Sequence, residues 1–331
     1  MLGPTIRRRL RQPLLKALSA VLAAGTMALL AACGSGTASG ASAKSGKLTI
    51  GIVTFSTSDV DTNHMVSAMT AEATSKGWAV QTLNANGSEQ QANTQIQQLV
   101  TKNVSAVIVT VFDSNSLASG LAAAKAAGIP VLSAGGGLAP GVALATDDGA
   151  GQPVVDLMLK NLHNSGTVLD LTYHPGVPCR QRADAFDSIV KNYPGIKATD
   201  HEITIPGAAE AAQSATAAWL AANSGKTGNF AIFNCYDDDS MGAIATLKQN
   251  HRTDVQVYSY NATPPALAAV KAGTMTATLW LDLKSAGKIL VDSIPQIRTQ
   301  GSAWKPRSVI PKYIIVTKAN VASFMATHSA G

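Results

Sequence analysis

From residue 47 onward the chain alternates short β-branched apolar runs with longer alanine-rich amphipathic runs, and this rhythm constrains the fold more than any single motif. Runs of the first kind occupy residues 48–54, 79–83, 106–111, 131–133 and 142–145, and helical spacing fills 63–76, 90–102, 116–127 and 151–163. Strand and helix in regular alternation predict a parallel sheet covered by helices on both faces. The rhythm restarts near residue 166, with strands expected at 168–173, 198–203, 230–234 and 255–260 and helices at 180–192, 208–223, 240–250 and 264–271. A strand at 275–281, a helix at 283–298 and one extended segment at 308–317 complete the pattern. The expected fold is α/β, with two doubly wound parallel-sheet lobes in series. Length and alternation also permit a barrel, but the restart favours two units.

The N-terminal region follows different rules. Arg7, Arg8, Arg9, Arg11 and Lys16 precede an apolar run, 18–30, that is short for a bilayer span. This is the grammar of a signal peptide. The run ends in Leu30-Ala31-Ala32-Cys33, which resembles the bacterial lipobox, cleaved and lipidated at the cysteine. Residues 1–33 are therefore expected to be a lipoprotein leader and 34–46, rich in Gly, Ser, Ala and Thr, a flexible tether. Acylated Cys33 would hold the protein in the lipid bilayer, on the extracytoplasmic face of the cell membrane. An ordinary signal peptide with a chance cysteine is the alternative.

The formal net charge of +6 arises mostly in the leader: five of the 26 Lys and Arg residues lie there with no acid, leaving 21 against 20 acidic residues. A balanced remainder gives no reason to expect nucleic acid as a partner. With Cys33 acylated, Cys179 and Cys235 remain in an oxidising compartment, either as a disulfide or as two buried thiols.

Several landmarks recur in a fixed order. Thr49-Ile50-Gly51-Ile52-Val53 opens the first strand, and Lys76-Gly77-Trp78 closes the helix after it. Ala106-Val107-Ile108-Val109 leads to Asp113, and Ala126-Ala127-Gly128-Ile129-Pro130-Val131 runs into the fourth strand. Arg180-Gln181-Arg182-Ala183-Asp184-Ala185-Phe186 starts a helix. Phe233-Asn234-Cys235-Tyr236-Asp237-Asp238, followed by Met241-Gly242-Ala243, makes a strand, a turn and an apolar helix. Together, over residues 47 to 320, they resemble the sugar-binding (ribose/galactose-type) branch of the type I periplasmic binding proteins, the substrate-binding lipoproteins of ABC transporters. Repressor cores share that fold, but they carry a helix-turn-helix where this chain has a leader and tether. The resemblance implies three crossings between lobes, near 145–148, 281–282 and 311–312. Lobe one would then take 47–146 plus 282–311, and lobe two 147–281 plus 312–331. It also implies a monomer whose partners are a small polar solute and a membrane permease.

In open α/β sheets, ligands bind beyond the carboxyl ends of the strands. The facing edges offer loops 57–64, 112–114 and 134–137 from lobe one, 173–182, 236–239 and 260–263 from lobe two, and 279–282 from a crossing. By resemblance, Arg182 takes the place of the family's ligand arginine. Asn261 stands where the family usually has aspartate, and Tyr236 where it often has asparagine. The family's stacking aromatics after the first strand are replaced by Ser58-Asp59-Val60-Asp61-Thr62-Asn63-His64, and its Asp-Arg after the fourth strand by Gly135-Gly136. Aromatic faces are then expected from Tyr173, Tyr236, Tyr260 or Trp280, unless the ligand is not a typical sugar.

Asp59, Asp61, Asp113, Asp237, Asp238 and Asp282 fall on the same edges, where they can accept from hydroxyls or receive a cation. Aspartates there equally cap helices and make turns. His64 can donate to a ligand or serve structure alone. Asp237-Asp238-Asp239 lacks calcium-loop spacing, and Gly135-Gly136-Gly137 lacks phosphate-loop spacing and reads as a flexible loop. No metal and no cofactor are expected. Cys179 and Cys235 follow the first and third strands of lobe two, neighbours in a doubly wound sheet, where a bridge would brace the loops carrying Arg182 and Tyr236.

The expected function is that of an extracytoplasmic solute-binding component of an ABC importer, taking a sugar or polyol by hinge closure. A nucleoside, amino acid derivative or polyamine is the alternative solute, and a membrane receptor the alternative partner. An enzyme is not expected: no Gly-x-Ser-x-Gly elbow occurs, and neither His64 nor His174 has a visible Ser/Asp constellation.

Overall fold

The two runs of alternation form two six-stranded sheets in a computed structural model that describes residues 47–147 and 150–328. The first sheet contains β1 (Thr49–Thr54), β2 (Ala79–Asn84), β3 (Ala106–Thr110), β4 (Val131–Ala134) and β5 (Val142–Thr146), with β11 (Arg307–Val309) at its edge. Its helices are α1 (Val60–Ser75), α2 (Glu89–Thr101), α3 (Ala118–Ala126) and α9 (Leu283–Gln300). The second sheet contains β6 (Gly166–Thr172), β7 (Ile196–Glu202), β8 (Phe230–Asn234), β9 (Val255–Tyr260) and β10 (Ala277–Leu281), with β12 (Tyr313–Thr317) at its edge. Around it lie α4 (Gln152–Asn161), α5 (Val177–Val190), α6 (Ala208–Ala222), α7 (Asp237–Gln249), α8 (Pro264–Ala272) and α10 (Val321–Thr327).

β3, β4 and β8 are buried along their whole length. Continuous apolar runs of this kind are what a parallel sheet covered on both faces requires. The helices earn their places by spacing and caps. In α2, Ala92, Ile96 and Leu99 share the buried face, and the Ser88 side chain accepts from the Gln91 N–H at 3.2 Å. In α9, Leu290, Val291, Ile294 and Ile297 form the buried stripe, and Asp282 caps the start by accepting from the Ser285 N–H at 3.0 Å.

Three expectations need correction. The extended segment 308–317 is two strands in different sheets: β11 runs parallel to β5, whereas β12 runs antiparallel to β10. Pro311 lies between them and has no N–H to give a ladder, so the chain leaves one sheet and joins the other. The second sheet is consequently mixed at its edge. Helix α5 begins at Val177, three residues earlier than expected, because Pro178 sits in the first turn where an N–H has no partner to lose. Helix α10 was not expected at all.

The chain changes sheets between Thr146 and Gln152, after Leu281, and between Val309 and Tyr313. Among the described residues, no helix is long and apolar enough to cross a membrane.

Candidate functional site

The strand orders are β11-β5-β4-β3-β1-β2 and β12-β10-β9-β8-β6-β7, so the winding reverses between β1 and β3 and between β6 and β8. Crevices form beyond the carboxyl ends of strands at such points. The segments that follow these four strands converge on one cavity, with a volume of about 50 Å3 open to the centre of a water-sized sphere. Lobe one contributes Phe55, Asp59, Thr62, Met65 and Val111. Lobe two contributes Tyr173, Gly176, Pro178, Cys179, Arg182, Ile205, Tyr236 and Asn261, and Leu283 lines it beside a crossing.

Arg182 anchors the lobe-two wall. It is only 3% exposed; its Nη1 donates to the Cys235 carbonyl at 2.7 Å and its Nη2 to Asn261 Oδ1 at 3.3 Å. The guanidinium lies over the Tyr260 ring, 4.4 Å from its centroid, and the Tyr260 hydroxyl donates to the Gly151 carbonyl at 2.9 Å. Cation and ring attract each other most where water is excluded. Cys179, one turn before Arg182 on α5, is joined to Cys235 as a disulfide, with Cα atoms 5.0 Å apart. The helix bearing the guanidinium is thus fastened to the strand whose carbonyl it grips. Asn261 presents its amide from a positive φ of 98°, a region Asn tolerates better than most residues.

The lobe-one wall is built differently. Phe55 packs on Phe112 at 4.7 Å between ring centroids and meets Tyr173 of the other lobe edge-on at 6.0 Å. Asp59 begins α1 and accepts from the Thr62 N–H at 3.3 Å and the Thr62 hydroxyl at 2.6 Å. Met65 follows one turn after Asp61, whose side chain lies outside the described residues, as does Cys33.

Beside the cavity the two rims touch. Val177 N–H donates to the Val111 carbonyl at 3.2 Å, Phe112 and Gly176 form an isolated antiparallel bridge, and Arg180 Nη2 pairs with Asp113 Oδ2 at 2.6 Å. A Cβ on Gly176 would sit 3.2–3.3 Å from the Tyr173 and Val111 side chains, tight for a bridge made at this spacing. Val111 holds a φ of 66°, an outlier for a β-branched residue, at the point where the lobes meet.

A second, wider space of about 600 Å3 adjoins the cavity, and Asn261 and Leu283 line both. His64, Thr263, Trp280, Asp282 and Lys284 line this outer groove. The Trp280 ring is engaged by Phe324 at 5.7 Å and His328 at 4.7 Å.

Of the residues singled out from sequence, Arg182, Asn261, Tyr236 and Asp59 line the inner cavity, while His64 and Asp282 line only the outer groove. Tyr260 lies behind the wall as the support under Arg182. Asp237 is also behind it: fully buried, it accepts from the Thr263 N–H at 2.7 Å and from the Thr263 and Thr278 hydroxyls at 2.9 and 3.0 Å. Burial pushes its carboxyl up to about 6 against the lowering effect of those donors. Asp113 is turned to Arg180 and to Asn115, not to the cavity. Burial raises its pKa, but the Asn115 amides and the Arg180 guanidinium outweigh that and hold it below the ordinary value. The glycine run is a packed turn: Ser114 N–H donates to the Gly136 carbonyl at 3.0 Å, and an added Cβ at Gly136 would collide with the Phe112 carbonyl.

Phe55, Thr62, Met65, Val111 and Ile205 were missed by sequence reasoning. Phe55, the first residue past β1, places an aromatic side chain on the lobe-one wall ahead of segment 58–64. Its position just beyond a strand at a reversal point was the available signal. Among the described residues, no three His, Cys, Asp or Glu side chains form a group able to hold a metal ion.

The model of the periplasmic binding protein domain matches residues 50–300. The chain belongs to that family. This periplasmic binding protein is 27% identical over 314 residues to the xylitol-binding protein of Mycolicibacterium smegmatis, a match covering 92% of this chain and 86% of the relative. It also resembles an ABC transporter solute-binding protein from Agrobacterium vitis solved with bound allitol, with a TM-score of 0.78, 21% identity, and 85% and 99% of the two chains covered. A further solute-binding protein, from Mycobacterium smegmatis and solved with bound glycerol, gives a TM-score of 0.75 at 25% identity over 84% and 97% of the chains. The periplasmic binding protein is thus a binder of solutes and not an enzyme.

Proposed function

We propose that this chain is the extracytoplasmic solute-binding component of an ABC importer and that it closes its two lobes on a small polyhydroxylated solute, a polyol or a sugar. The observation that carries the reading is the buried Arg182 fork, held by Cys235 and Asn261 on one wall of a cavity whose opposite wall presents Asp59 and Thr62. Planar donors on one side and a carboxylate and hydroxyl on the other suit a ligand whose hydroxyls both give and accept. Relatives named for xylitol, or solved with allitol or glycerol, support that class.

Contacts from both lobes favour the closed form, and a permease would read that shape. The membership of the strands in the two sheets supports lobe limits of 47–146 plus 282–311 and 147–281 plus 312–331. The lipobox-like end of the leader supports anchoring through acylated Cys33, with 34–46 as tether, and the protein would act as a monomer.

A thermal-shift screen against alditols, sugars, nucleosides, amino acids and polyamines tests the reading, with Arg182→Ala alongside. A stabilising polyol or sugar whose effect is lost in the variant is expected, because a ligand that binds only the folded state raises its stability. The opposed charges of Arg182 and Asp59 would also suit a zwitterion. Stabilisation by amino acids alone would replace the polyol reading with that one.

A further inference from the structure

We infer that the cleft is built for an acyclic polyol lying lengthwise, one end in the inner cavity and the other in the outer groove, and not for a pyranose ring. The inference rests on the polyhydroxyl reading above and narrows it.

The first argument is the size of the inner cavity. At about 50 Å3 it holds roughly four water-sized centres, since one water needs about 10–15 Å3 by this measure. That is room for the end of a hydroxylated chain. Most of the space lies in the outer groove, and Asn261, on the wall common to both, can hydrogen-bond a chain that runs from one to the other.

The second argument is where the polar groups stand. A pyranose has two faces rich in C–H and a belt of hydroxyls in its mean plane, so a fitting site offers flat apolar surfaces above and below and polar groups around the edge. Here each facing wall carries polar groups among its apolar side chains, Asp59 and Thr62 beside Phe55 and Met65 on one and Arg182 and Asn261 beside Pro178 and Ile205 on the other. A ring laid between the lobes would press its C–H faces on a carboxylate and a guanidinium. An extended polyol directs hydroxyls to both sides of its carbon chain and satisfies both walls.

The third argument concerns the aromatic rings. Phe55 is packed on Phe112 and against the edge of Tyr173, while Trp280 in the outer groove is engaged by Phe324 and His328. Phe55 and Trp280 are therefore committed to neighbouring rings. The apolar side chains of Met65, Val111 and Leu283 suit the methine carbons of a chain.

Isothermal titration of the purified protein with pentitols and hexitols, against the aldopyranoses of the same carbon number, tests this. Alditols are expected to bind at least about tenfold more tightly, the factor lost when buried wall groups are left without a hydrogen-bond partner. His64 is exposed and lines only the outer groove, so His64→Ala is expected to weaken a hexitol about fivefold and leave glycerol within about twofold. Aldopyranoses binding as tightly as alditols would overturn the acyclic assignment while leaving the polyhydroxyl reading intact. An equal effect of His64→Ala on hexitol and glycerol would overturn the lengthwise pose. Binding of amino acids and of neither carbohydrate class would remove the polyhydroxyl reading, and this inference with it.

Discussion

The two walls of the cleft come from the same kind of lobe, yet they are braced in opposite ways. On lobe two, Arg182 is held by the Cys235 carbonyl, the Asn261 amide and the Tyr260 ring, and the Cys179–Cys235 disulfide locks helix to strand. On lobe one, Asp59 and Thr62 bond to each other at the first turn of α1, and Asp113 is spent on Arg180 across the rim. The lobe-two wall is braced by links between separate elements, whereas the lobe-one groups are held within a single helix turn. A solute would therefore meet lobe two first and recruit lobe one, because groups held in place before binding lose little freedom when the ligand arrives.

Substitutions on the two walls should separate these roles. Arg182→Ala is expected to weaken solute binding at least about thirtyfold, as removal of a buried, hydrogen-bonded charge does. Thr62→Val on lobe one should cost only about fivefold. Isothermal titration measures both, and equal losses would remove the distinction between the walls.

Replacing Cys179 and Cys235 together by serine should lower stability by about 4 kcal/mol, from the 56-residue separation that the bridge closes. Urea unfolding measures that loss. Solute affinity should fall as well, since Arg182 bonds to the Cys235 carbonyl.

A pH contrast between the lobes follows from buried acids. Burial raises the carboxyls of Asp170 and Asp239 well above the ordinary range and that of Asp237 to about 6, and all three lie in lobe two. The folded state keeps these protons where the unfolded chain, near the ordinary value of about 4, has released them. Stability therefore falls as pH rises from about 4 through 6, and acidification from pH 7.5 to 5.5 should strengthen the fold. Amide exchange, corrected for its intrinsic pH dependence, should become slower in β8 and α7 while β3 changes less. Equal protection changes in both lobes would contradict that assignment.

The smallest effect expected is that of Asp113→Asn. The Asp113–Arg180 pair is about one-third exposed, so it contributes under about 1 kcal/mol to closure and two- to fivefold to affinity. Because the Asp113 pKa is lowered in the fold, that contribution is present above the ordinary value and disappears only as the pH falls below about 4. Affinity measured at pH 7 should therefore drop in the variant, and no change would show that the rim contact plays no part in closure.

The alternation of strands and helices made both sheets legible, because fully buried parallel strands need continuous apolar runs that stand out in a sequence. It could not show that 308–317 serves both sheets, since an extended run looks the same whichever neighbour it pairs with. At the site, Arg182 was legible by its resemblance and Asn261 by its position after β9. Asp113 was assigned to the ligand, because its partner Arg180 lies 67 residues away on the other lobe and no local pattern announces the pair. The capping role open to every aspartate at a strand-to-helix junction is the one taken by Asp59, Asp113 and Asp282. Phe55 and Ile205 escaped notice because an apolar residue just past a strand reads as core.

Closure on a bound polyol is tested most directly by small-angle X-ray scattering of the protein with and without a saturating alditol, with Arg182→Ala beside it. The radius of gyration is expected to fall on addition of the alditol and to stay unchanged in the variant. Bound alditol, verified by titration, with no contraction of the protein would contradict hinge closure.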